Sequence, residues 1–580
     1  MSTRFANALA ESVWAQRYRF TPPDASPEAS IDASWDRVAN ALCAAEPRDR
    51  DRWRQQFRDA LEGFRFLPGG RILAGAGTAR RVTLFNCFVM GTLEDSLDGI
   101  FASLREAAIT MQLGGGIGTD FSTLRPQGAP ADTTGGRASG PVSFMHLWDQ
   151  MCATVTDVGP RRGAMMGTLS CTHPDIAAFI GAKQASGRLT RFNLSVLVTD
   201  AFMHAVERDA SWKLLFARDA IEREVRARSL WHAIVASAYA SAEPGVLFID
   251  RIRAEDNLAY AETISATNPC GEIPLPPYGA CDLGSINLTQ FVRAAFTPAA
   301  TLDMDALAMT AQVATRMLDN VYSISTFPLP QQAEAARASR RLGLGITGLA
   351  DALIMLGLRY DSHEGRTCAV QAMRKITEAA YDASIGLARE RGSFERFMRE
   401  PHLATPFVSR LPREIRDGIA KHGIRNSHLT AIAPAGTISL IAGNVSSGIE
   451  PVFAVSYERD VRQPDGALQR VRVEDHASAL WRVRHGDALL PPAFVTATTI
   501  SAEAQIAMQA ALQPHVDNAI SKTTNVPADI AFDDFREIYW RAWKQELKGC
   551  TVFRPNAVTG SVLSGPEPRC ERCETPSRVA

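Results

Sequence analysis

Apolar and polar positions follow two different patterns along the chain, and the first has the periodicity of a helix. Trp53, Phe57, Leu61 and Phe64 recur at helical spacing and predict an amphipathic helix with one apolar face. We therefore expect residues 1–65 to form a charged, helical N-terminal region, and nothing in its pattern suggests chemistry.

The second pattern starts at about residue 66, where short apolar runs alternate with glycine-rich turns and helical stretches. Examples are VTLFNCFVM (82–90) and LREAAITMQLGGGIGTDF (104–121). Strands that alternate with helices predict an α/β body, which we place at 66–556. Thr551–Pro568 is rich in Gly, Pro and Ser and predicts a linker, so we expect a flexible polar tail over 557–580.

Composition and charge narrow the class of protein. Hydrophobic residues make up 46% and charged residues 22% of the 580 positions, as in globular proteins. The 62 basic and 63 acidic residues give a net charge of -1 without a polybasic block, which argues against a nucleic-acid polymer as partner. The start of the chain lacks a signal-peptide pattern and no run of eighteen apolar residues occurs, so we expect a cytoplasmic protein with no membrane segment.

One segment, Thr267–Leu288, offers candidate chemistry. Its four prolines and three glycines before Ser285 predict a shaped loop instead of a strand or helix interior. In an extended piece, Asn268, Cys270 and Glu272 would share one face, so an amide, a thiol and a carboxylate base could converge on a substrate. A proline-rich loop whose cysteine merely packs explains these residues equally well.

Ten motif-like segments lie in order along residues 66–556. They are FNCFV (85–89), GGGIGTDFSTLRPQG (114–128), SGPVSFM (139–145), RRGAMMGTL (161–169), HPDIAAFI (173–180), NPCGEIPLPPYGACDLGSINL (268–288), RRLGLGITGLADAL (340–353), RNSHLTAIAPAGTISLIAGNVSSGIEPVF (425–453), VDNAISKTTNVP (516–527) and LKGCTVFRPN (547–556). Together these segments resemble ribonucleotide reductases, especially the dimeric adenosylcobalamin-dependent class. The resemblance implies a ten-stranded α/β barrel of two five-stranded halves with a central finger loop, and a homodimer.

The resemblance also implies catalytic roles in the reduction of ribonucleoside diphosphates, which supplies DNA precursors. Cys270 would carry a thiyl radical, Glu272 would act as base on the 3′-hydroxyl, and Asn268 would position the sugar. Cys87 and Cys281 would supply two electrons and end as a disulfide. Without the resemblance, Cys87 is better explained as a buried strand cysteine.

Binding residues are implied in the same way. The glycine turn PAGTIS (434–439) could hold phosphates on backbone amides, although a plain strand-to-helix turn explains it too. Arg161 and Arg162 match a loop that relays the identity of a deoxynucleoside triphosphate or ATP effector, although paired arginines are more often a solvated face. The implied substrate-binding set is Asn86, Cys87, Gly116, Asn268, Pro269, Cys270, Gly271, Glu272, Pro434, Ala435, Gly436, Thr437 and Ile438.

The tail carries Cys570 and Cys573 in a CxxC pair. In the family such a pair re-reduces the active-site disulfide and is reduced in turn by a thioredoxin- or glutaredoxin-like protein. Half of a zinc site is the alternative, but zinc prefers four ligands and this tail offers two cysteines and no histidine.

The source of the radical is inferred partly by excluding the other two sources known in the family. Relatives with a separate radical subunit carry adjacent tyrosines where this chain has KGCTVFRPN with Phe553, and VTGSVLSG does not match a glycyl-radical context. The resemblance therefore implies adenosylcobalamin as cofactor. The rival readings are a reductase with a separate metal-radical subunit, a silent nucleotide-binding regulator, and a thiol redox protein inferred from CERC alone.

Overall fold

The structure is a computed structural model that describes residues 4–131, 135–156, 163–184, 187–216, 220–462 and 468–556. Several predicted features lie outside the described residues, namely Arg161, Arg162, Cys570, Cys573 and the tail 557–580.

The described residues form 21 α-helices, and none of these helices combines the length and apolar character needed to cross a membrane. Short 3₁₀ turns occur at Glu62–Phe64, Leu288–Phe291 and Gln513–His515. The helices are α1 (Ala8–Arg17), α2 (Ile31–Cys43), α3 (Arg50–Leu61), α4 (Gly70–Gly75), α5 (Leu97–Gln112), α6 (Pro141–Thr156), α7 (Ile176–Ile180), α8 (Asp200–Glu207), α9 (Ala227–Ser241), α10 (Ile249–Ala254), α11 (Met304–Ile324), α12 (Pro330–Ser339), α13 (Leu349–Met355), α14 (His363–Arg391), α15 (Arg399–Leu403), α16 (Pro406–Ser409), α17 (Arg413–His422), α18 (Gly436–Ile441), α19 (His476–His485), α20 (Ala502–Leu512) and α21 (Phe532–Lys544).

The described strands fall into one large sheet and several two-stranded ribbons. They are β1 (Phe66–Pro68), β2 (Cys87–Val89), β3 (Gly116–Asp120), β4 (Pro130–Ala131), β5 (Gly136–Arg137), β6 (Met165–Ser170), β7 (Phe192–Val198), β8 (Ser211–Phe216), β9 (Ile221–Arg226), β10 (Gly245–Phe248), β11 (Ala266–Thr267), β12 (Pro274–Leu275), β13 (Ala280–Asn287), β14 (Val292–Arg293), β15 (Thr301–Leu302), β16 (Leu342–Thr347), β17 (Ser456–Arg462), β18 (Leu468–Glu474), β19 (Thr523–Asn525) and β20 (Gly549–Phe553).

The N-terminal region is helical, as its apolar periodicity predicts. Phe57 and Leu61 of α3 are fully buried, and Phe64 packs just beyond the helix end. Trp53 lies under the guanidinium group of Arg316, whose carbon is 3.8 Å from the ring centre. The predicted apolar face is therefore the face by which α3 docks on the rest of the protein.

The large sheet has ten strands in the order β1-β13-β2-β3-β6-β7-β10-β20-β19, with β16 on the other edge of β13. Strands β2, β3, β6, β7 and β10 form a parallel set of five. The antiparallel pairs β2–β13 and β10–β20 join this set to the second group of strands, within which β13 pairs with β16 and β19 with β20 in parallel. This arrangement agrees with the predicted two halves.

Isolated backbone bridges link the two ends of the sheet. Leu344 in β16 bridges to Thr430, and Ile432 bridges to Ile520, which comes shortly before β19. A barrel requires the two ends of the sheet to meet. Here single bridges connect them in place of a continuous hydrogen-bonded ladder. The predicted finger loop contacts strands β3 and β7 of this sheet.

Two loop predictions were wrong in part. The second half of Thr267–Leu288 is strand β13, because its prolines end at Pro277 and neighbours pair with it on both edges, which buries all eight of its residues. The predicted linker from Thr551 likewise begins inside β20, which β10 and β19 hold from either side.

Candidate active site

Cys270 lies at the tip of a short hairpin formed by β11 and β12. The backbone N–H of Asn268 donates to the carbonyl of Ile273 at 3.1 Å, and the Asn268 side chain accepts from the Ile273 N–H at 2.9 Å. Gly271 takes a φ of +84°, which an L side chain rarely adopts. The hairpin tip is therefore closed mainly by Asn268 and turned by Gly271.

Neighbouring strands hold the hairpin in place. A Cβ atom at Gly118 of β3 would stand 1.8 Å from the carbonyl oxygen of Thr267, so only glycine allows this approach. Asn193 of β7 donates to the carbonyl of Pro269 at 2.8 Å, and the Ala519 N–H donates to the carbonyl of Glu272 at 3.0 Å. The tip is thus fixed from opposite sides.

A buried charge cluster supports the base of the hairpin. Arg341 donates to the carbonyl of Pro274 at 2.6 Å and pairs with the carboxylates of Glu262 and Asp256. Asp256 also contacts the ring of His428 at 3.0 Å. The guanidinium group is buried, and its two carboxylate partners compensate for its loss of hydration. Its bond to Pro274 ties the hairpin to the surrounding strands.

The hairpin conformation differs from the extended piece that alternation predicts. Gly271 bends the chain, so Cys270 is exposed while Asn268 and Glu272 are buried. The three side chains nevertheless line one cavity of about 520 Å³. Predicted site residues on its wall are Asn86, Cys87, Gly116, Asn268, Pro269, Cys270, Glu272, Pro434 and Thr437.

A second cavity of about 370 Å³ lies against the hairpin tip and also has Cys270 on its wall. Pro269, Gly271 and Pro434 line it together with parts of β7, β10, β19 and β20. Cys270 is therefore accessible from two cavities. Of the remaining predicted residues, Ala435, Gly436, Ile438 and Cys281 are on the wall of neither cavity.

Cys87 and Cys281 face each other across the antiparallel pair β2–β13. They are 2% and 0% exposed, and the Asn268 amide donates to the Cys87 sulfur at 3.2 Å. Directly opposite residues on antiparallel strands have Cα atoms about 4.5–5.5 Å apart, within the span of a disulfide. Burial raises the pKa of both thiols well above the usual value, so both are stored protonated.

Glu272 is buried in the same wall, and burial raises the pKa of its carboxyl to about 7 while the bond with Asn268 opposes the rise. In the described part of the chain, its Oε2 atom and the Oδ1 atom of Asn86 have no hydrogen-bond partner. Two buried acceptors on one cavity wall suit a ligand that carries hydroxyl groups.

The glycine turn at 434–438 opens toward the 520 Å³ cavity. The Ala435 N–H donates to Ser447 Oγ at 2.8 Å, and no atom lies within 4 Å of where a Gly436 Cβ would stand. The hydroxyl of Thr437 shares a hydrogen bond with the hydroxyl of Tyr18 at 2.5 Å. Hydrogen bonds to Ser447 and Tyr18 thus hold the turn, and its glycine stays uncovered.

Sequence reasoning missed most of the cavity wall, including its three arginines and its tyrosine. Arg17, Tyr18, Arg71 and Arg80 line it, and the first two belong to the region in which no chemistry was expected. Their spacing carries no motif, because they reach the cavity only through the packing of α1 and α4 on the barrel. No pattern in the sequence could have indicated them.

Comparison with known proteins gives two family matches. The model described as ribonucleotide reductase, all-alpha domain, matches residues 4–81, and that described as ribonucleotide reductase, barrel domain, matches residues 85–553. A vitamin B12-dependent ribonucleoside-diphosphate reductase of Mycobacterium tuberculosis is 41% identical over 97% of this chain and 81% of the relative. A protein of the same name from Thermoplasma acidophilum is 36% identical over 88% of this chain and 66% of the relative.

Proposed function

This chain belongs to the ribonucleotide reductase family, and we propose that it reduces ribonucleoside diphosphates to 2′-deoxyribonucleoside diphosphates and thereby supplies DNA precursors. The observation that supports this most strongly is the meeting of Cys270, Glu272 and Asn268 in one cavity, with Cys87 on its wall facing Cys281 behind it. A thiol redox protein or a silent nucleotide-binding regulator would not need this set.

Cys270 acts first, as a thiyl radical that takes the 3′-hydrogen of the substrate. Its exposure at the hairpin tip lets one sulfur meet a radical source in one cavity and a sugar in the other. Glu272 then accepts the proton of the 3′-hydroxyl, for which a pKa of about 7 is well placed. Asn268 holds the sugar beside both groups.

Cys87 and Cys281 complete the reduction. The 2′-hydroxyl leaves as water, which takes one proton from the protein, and the sugar receives two electrons and a hydrogen. Two thiols supply these together and become a disulfide, so that ribonucleotide plus dithiol gives deoxyribonucleotide, disulfide and water. The raised pKa of both thiols keeps their protons available until that step.

Substrate phosphates are assigned to residues 434–438. Pro434 and Thr437 line the cavity and Gly436 is uncovered, which supports an anion subsite on this turn. Asn86 and Gly116 complete the pocket. A Cβ at Gly116 would stand 3.1 Å from the Pro269 ring and press on it. Gly271 turns the hairpin tip, and Ala435 and Ile438 are the buried residues of the turn at 434–438.

The 370 Å³ cavity fits the deoxyadenosyl end of adenosylcobalamin. Gly245 and Gly549 form part of its wall, and a Cβ on either would stand 3.1 Å from an atom of the neighbouring strand, so glycine at both positions lets these strands lie close together. Ser521 and Thr551 offer hydroxyl groups that would hold the ribose of this group. When bound, the cofactor supplies a radical through cleavage of its carbon–cobalt bond. Cys270, at the hairpin tip, would receive that radical.

Assembly and regulation involve residues outside the catalytic set. Leu97 and Phe101 of α5 are 64% and 52% exposed, and Leu147 of α6, the helix that packs against α5, is 37% exposed. Such apolar exposure on two packed helices supports a homodimer. Arg161 and Arg162 are assigned to the specificity loop for nucleotide effectors.

The tail is assigned to electron delivery. Cys570 and Cys573 would re-reduce the Cys87–Cys281 disulfide and accept electrons from a thioredoxin- or glutaredoxin-like protein. The described cysteines are free thiols. The cytoplasmic location expected from the sequence remains part of the proposal. The chain is accordingly divided into a helical region 1–65, a catalytic barrel 66–556 and a redox tail 557–580.

The proposed function is tested by formation of dCDP from CDP by the purified chain with a dithiol, with and without adenosylcobalamin. Product only in the presence of the cofactor supports both the reaction and the radical source. Product only after addition of a metal-radical subunit would assign the chain to the rival class instead.

A further inference from the structure

The end of the first helix reaches the substrate cavity. Tyr18 follows α1 directly, is 3% exposed, and shares the 2.5 Å hydrogen bond with Thr437. α1 packs against α18, which begins at Gly436, so the contact is part of a larger interface. The hydroxyl of Tyr18 therefore fixes the Thr437 side chain from the side away from the barrel.

A second group of contacts holds this helix end beside α4. Arg37 donates to the carbonyls of Tyr18 at 3.3 Å and Leu73 at 3.1 Å, and its guanidinium group is paired with Glu28 at 2.7 Å. Arg37 thus connects the end of α1 with α4, the helix that carries Arg71. The two segments form one wall of the cavity.

The charge of this wall is positive. Arg17, Arg71 and Arg80 line the cavity, and among the described residues on its wall Glu272 is the one acidic side chain. The guanidinium group of Arg71 lies against Gly114, where a Cβ would come within 2.7 Å of it. Glu272 belongs to the hairpin, so the arginines are concentrated on the helical side of the cavity, the side on which Tyr18 meets Thr437.

We propose that Arg17 and Arg71 recognise the terminal phosphate of the substrate and that Tyr18 is a positioning residue that orients Thr437 toward it. The inference deepens the proposed function, because it takes the substrate to be a ribonucleoside diphosphate. Guanidinium groups bind phosphate oxygens in pairs of hydrogen bonds, and their charge acts on the terminal phosphate, which carries the most charge. The N-terminal helical region is then part of substrate recognition.

The arginines are tested by equilibrium binding of CDP, CMP and cytidine to the full chain without dithiol. Arg17→Met and Arg71→Met should each weaken CDP binding by about 10- to 100-fold, weaken CMP less, and leave cytidine within about twofold. Arg81→Met is the matched control, since Arg81 is exposed and outside the cavity wall, and it should bind all three like the wild type.

Equal losses for CDP, CMP and cytidine in the Arg71 and Arg17 variants would show a structural role and overturn the inference, as would an unchanged preference for CDP over CMP. If the wild type binds and reduces CDP, and Arg71→Met still prefers CDP over CMP as the wild type does, this inference alone is refuted. A wild-type chain that does not bind CDP would refute the proposed function as well.

Tyr18 is tested by steady-state kinetics. Tyr18→Phe and Thr437→Val should each raise KM for CDP by about two- to tenfold with little change in kcat, and the double variant should add little more. Thr437→Ser keeps the hydroxyl and should restore a KM near that of the wild type. Additive losses, or an equal fall in kcat, would remove the positioning role.

Discussion

Cys87 and Cys281 are register partners on the antiparallel strands β2 and β13, and both side chains are buried in one small apolar cluster. The sheet therefore brings two thiols from distant parts of the chain within disulfide range before any substrate binds. Cys87 also reaches the cavity wall and touches Asn268, whereas Cys281 lies behind it. Within this pair, Cys87 is the thiol that meets the substrate.

This pairing predicts a self-limited reaction. In a chain whose tail pair is removed by Cys570→Ser and Cys573→Ser, the pre-reduced protein with adenosylcobalamin and no external dithiol should convert CDP in a single round, after which peptide mass spectrometry should find Cys87 linked to Cys281. Cys281→Ser should form no dCDP in that round because the second electron donor is missing. Cys368→Ser, in a half-buried thiol of α14, is the control and should behave like the wild type. A full single round by Cys281→Ser would contradict the assignment.

The raised pKa of Glu272 predicts a pH dependence. A base must be ionised to accept a proton, so kcat at saturating CDP should rise with pH through about 7 and then level off. Saturating substrate is needed because the terminal phosphate of CDP itself titrates near pH 6. Glu272→Gln should lower kcat by about 10²-fold or more. A kcat that is flat between about pH 6 and 8 would argue against Glu272 as the base.

The close approach of β3 to the hairpin predicts a sensitive glycine. Gly118→Ala places a Cβ 1.8 Å from the Thr267 carbonyl, so the hairpin must move and carry Cys270 with it. A shift of about 1 Å can cost 10²-fold in rate, and we expect kcat to fall by that order. Gly386→Ala in α14 meets no atom within 4 Å and should leave kcat unchanged. Normal turnover by Gly118→Ala would show that the hairpin position is not critical.

Some of this arrangement could be predicted from sequence, and the reasons are local. The apolar spacing of Phe57 and Leu61 predicts the buried face of α3, because helical periodicity needs no information from elsewhere. Cys270 and Glu272 could be singled out because prolines and glycines surround them. Their common face could not be derived from alternation, because Gly271 at φ +84° turns the chain between them.

Other parts depend on tertiary structure. The register that sets Cys87 opposite Cys281 belongs to two strands far apart in the chain, and without the family resemblance a buried strand cysteine is the better reading of Cys87. Tyr18 and Thr437 are separated by 419 positions, and only the docking of α1 brings their hydroxyl groups together. β13 was missed as a strand because its burial on both faces removes the polar alternation that marks a strand in sequence.

The tail is expected to serve external electron delivery alone. Cys570→Ser combined with Cys573→Ser should block turnover driven by thioredoxin, while the single round of the pre-reduced chain and turnover driven by a small dithiol persist. Rates of dCDP formation under the two reductants measure this directly. Equal loss under both reductants would argue against a shuttle.

The proposed mechanism depends on a radical at Cys270, and dCDP formation and CDP binding compared between wild type and Cys270→Ala test that role. The exposed position of Cys270 at the hairpin tip means that removing its sulfur leaves the buried surroundings intact. We predict that turnover with adenosylcobalamin and dithiol is abolished while the Kd for CDP stays within about twofold. Residual dCDP formation by Cys270→Ala would contradict the thiyl assignment and the mechanism built on it.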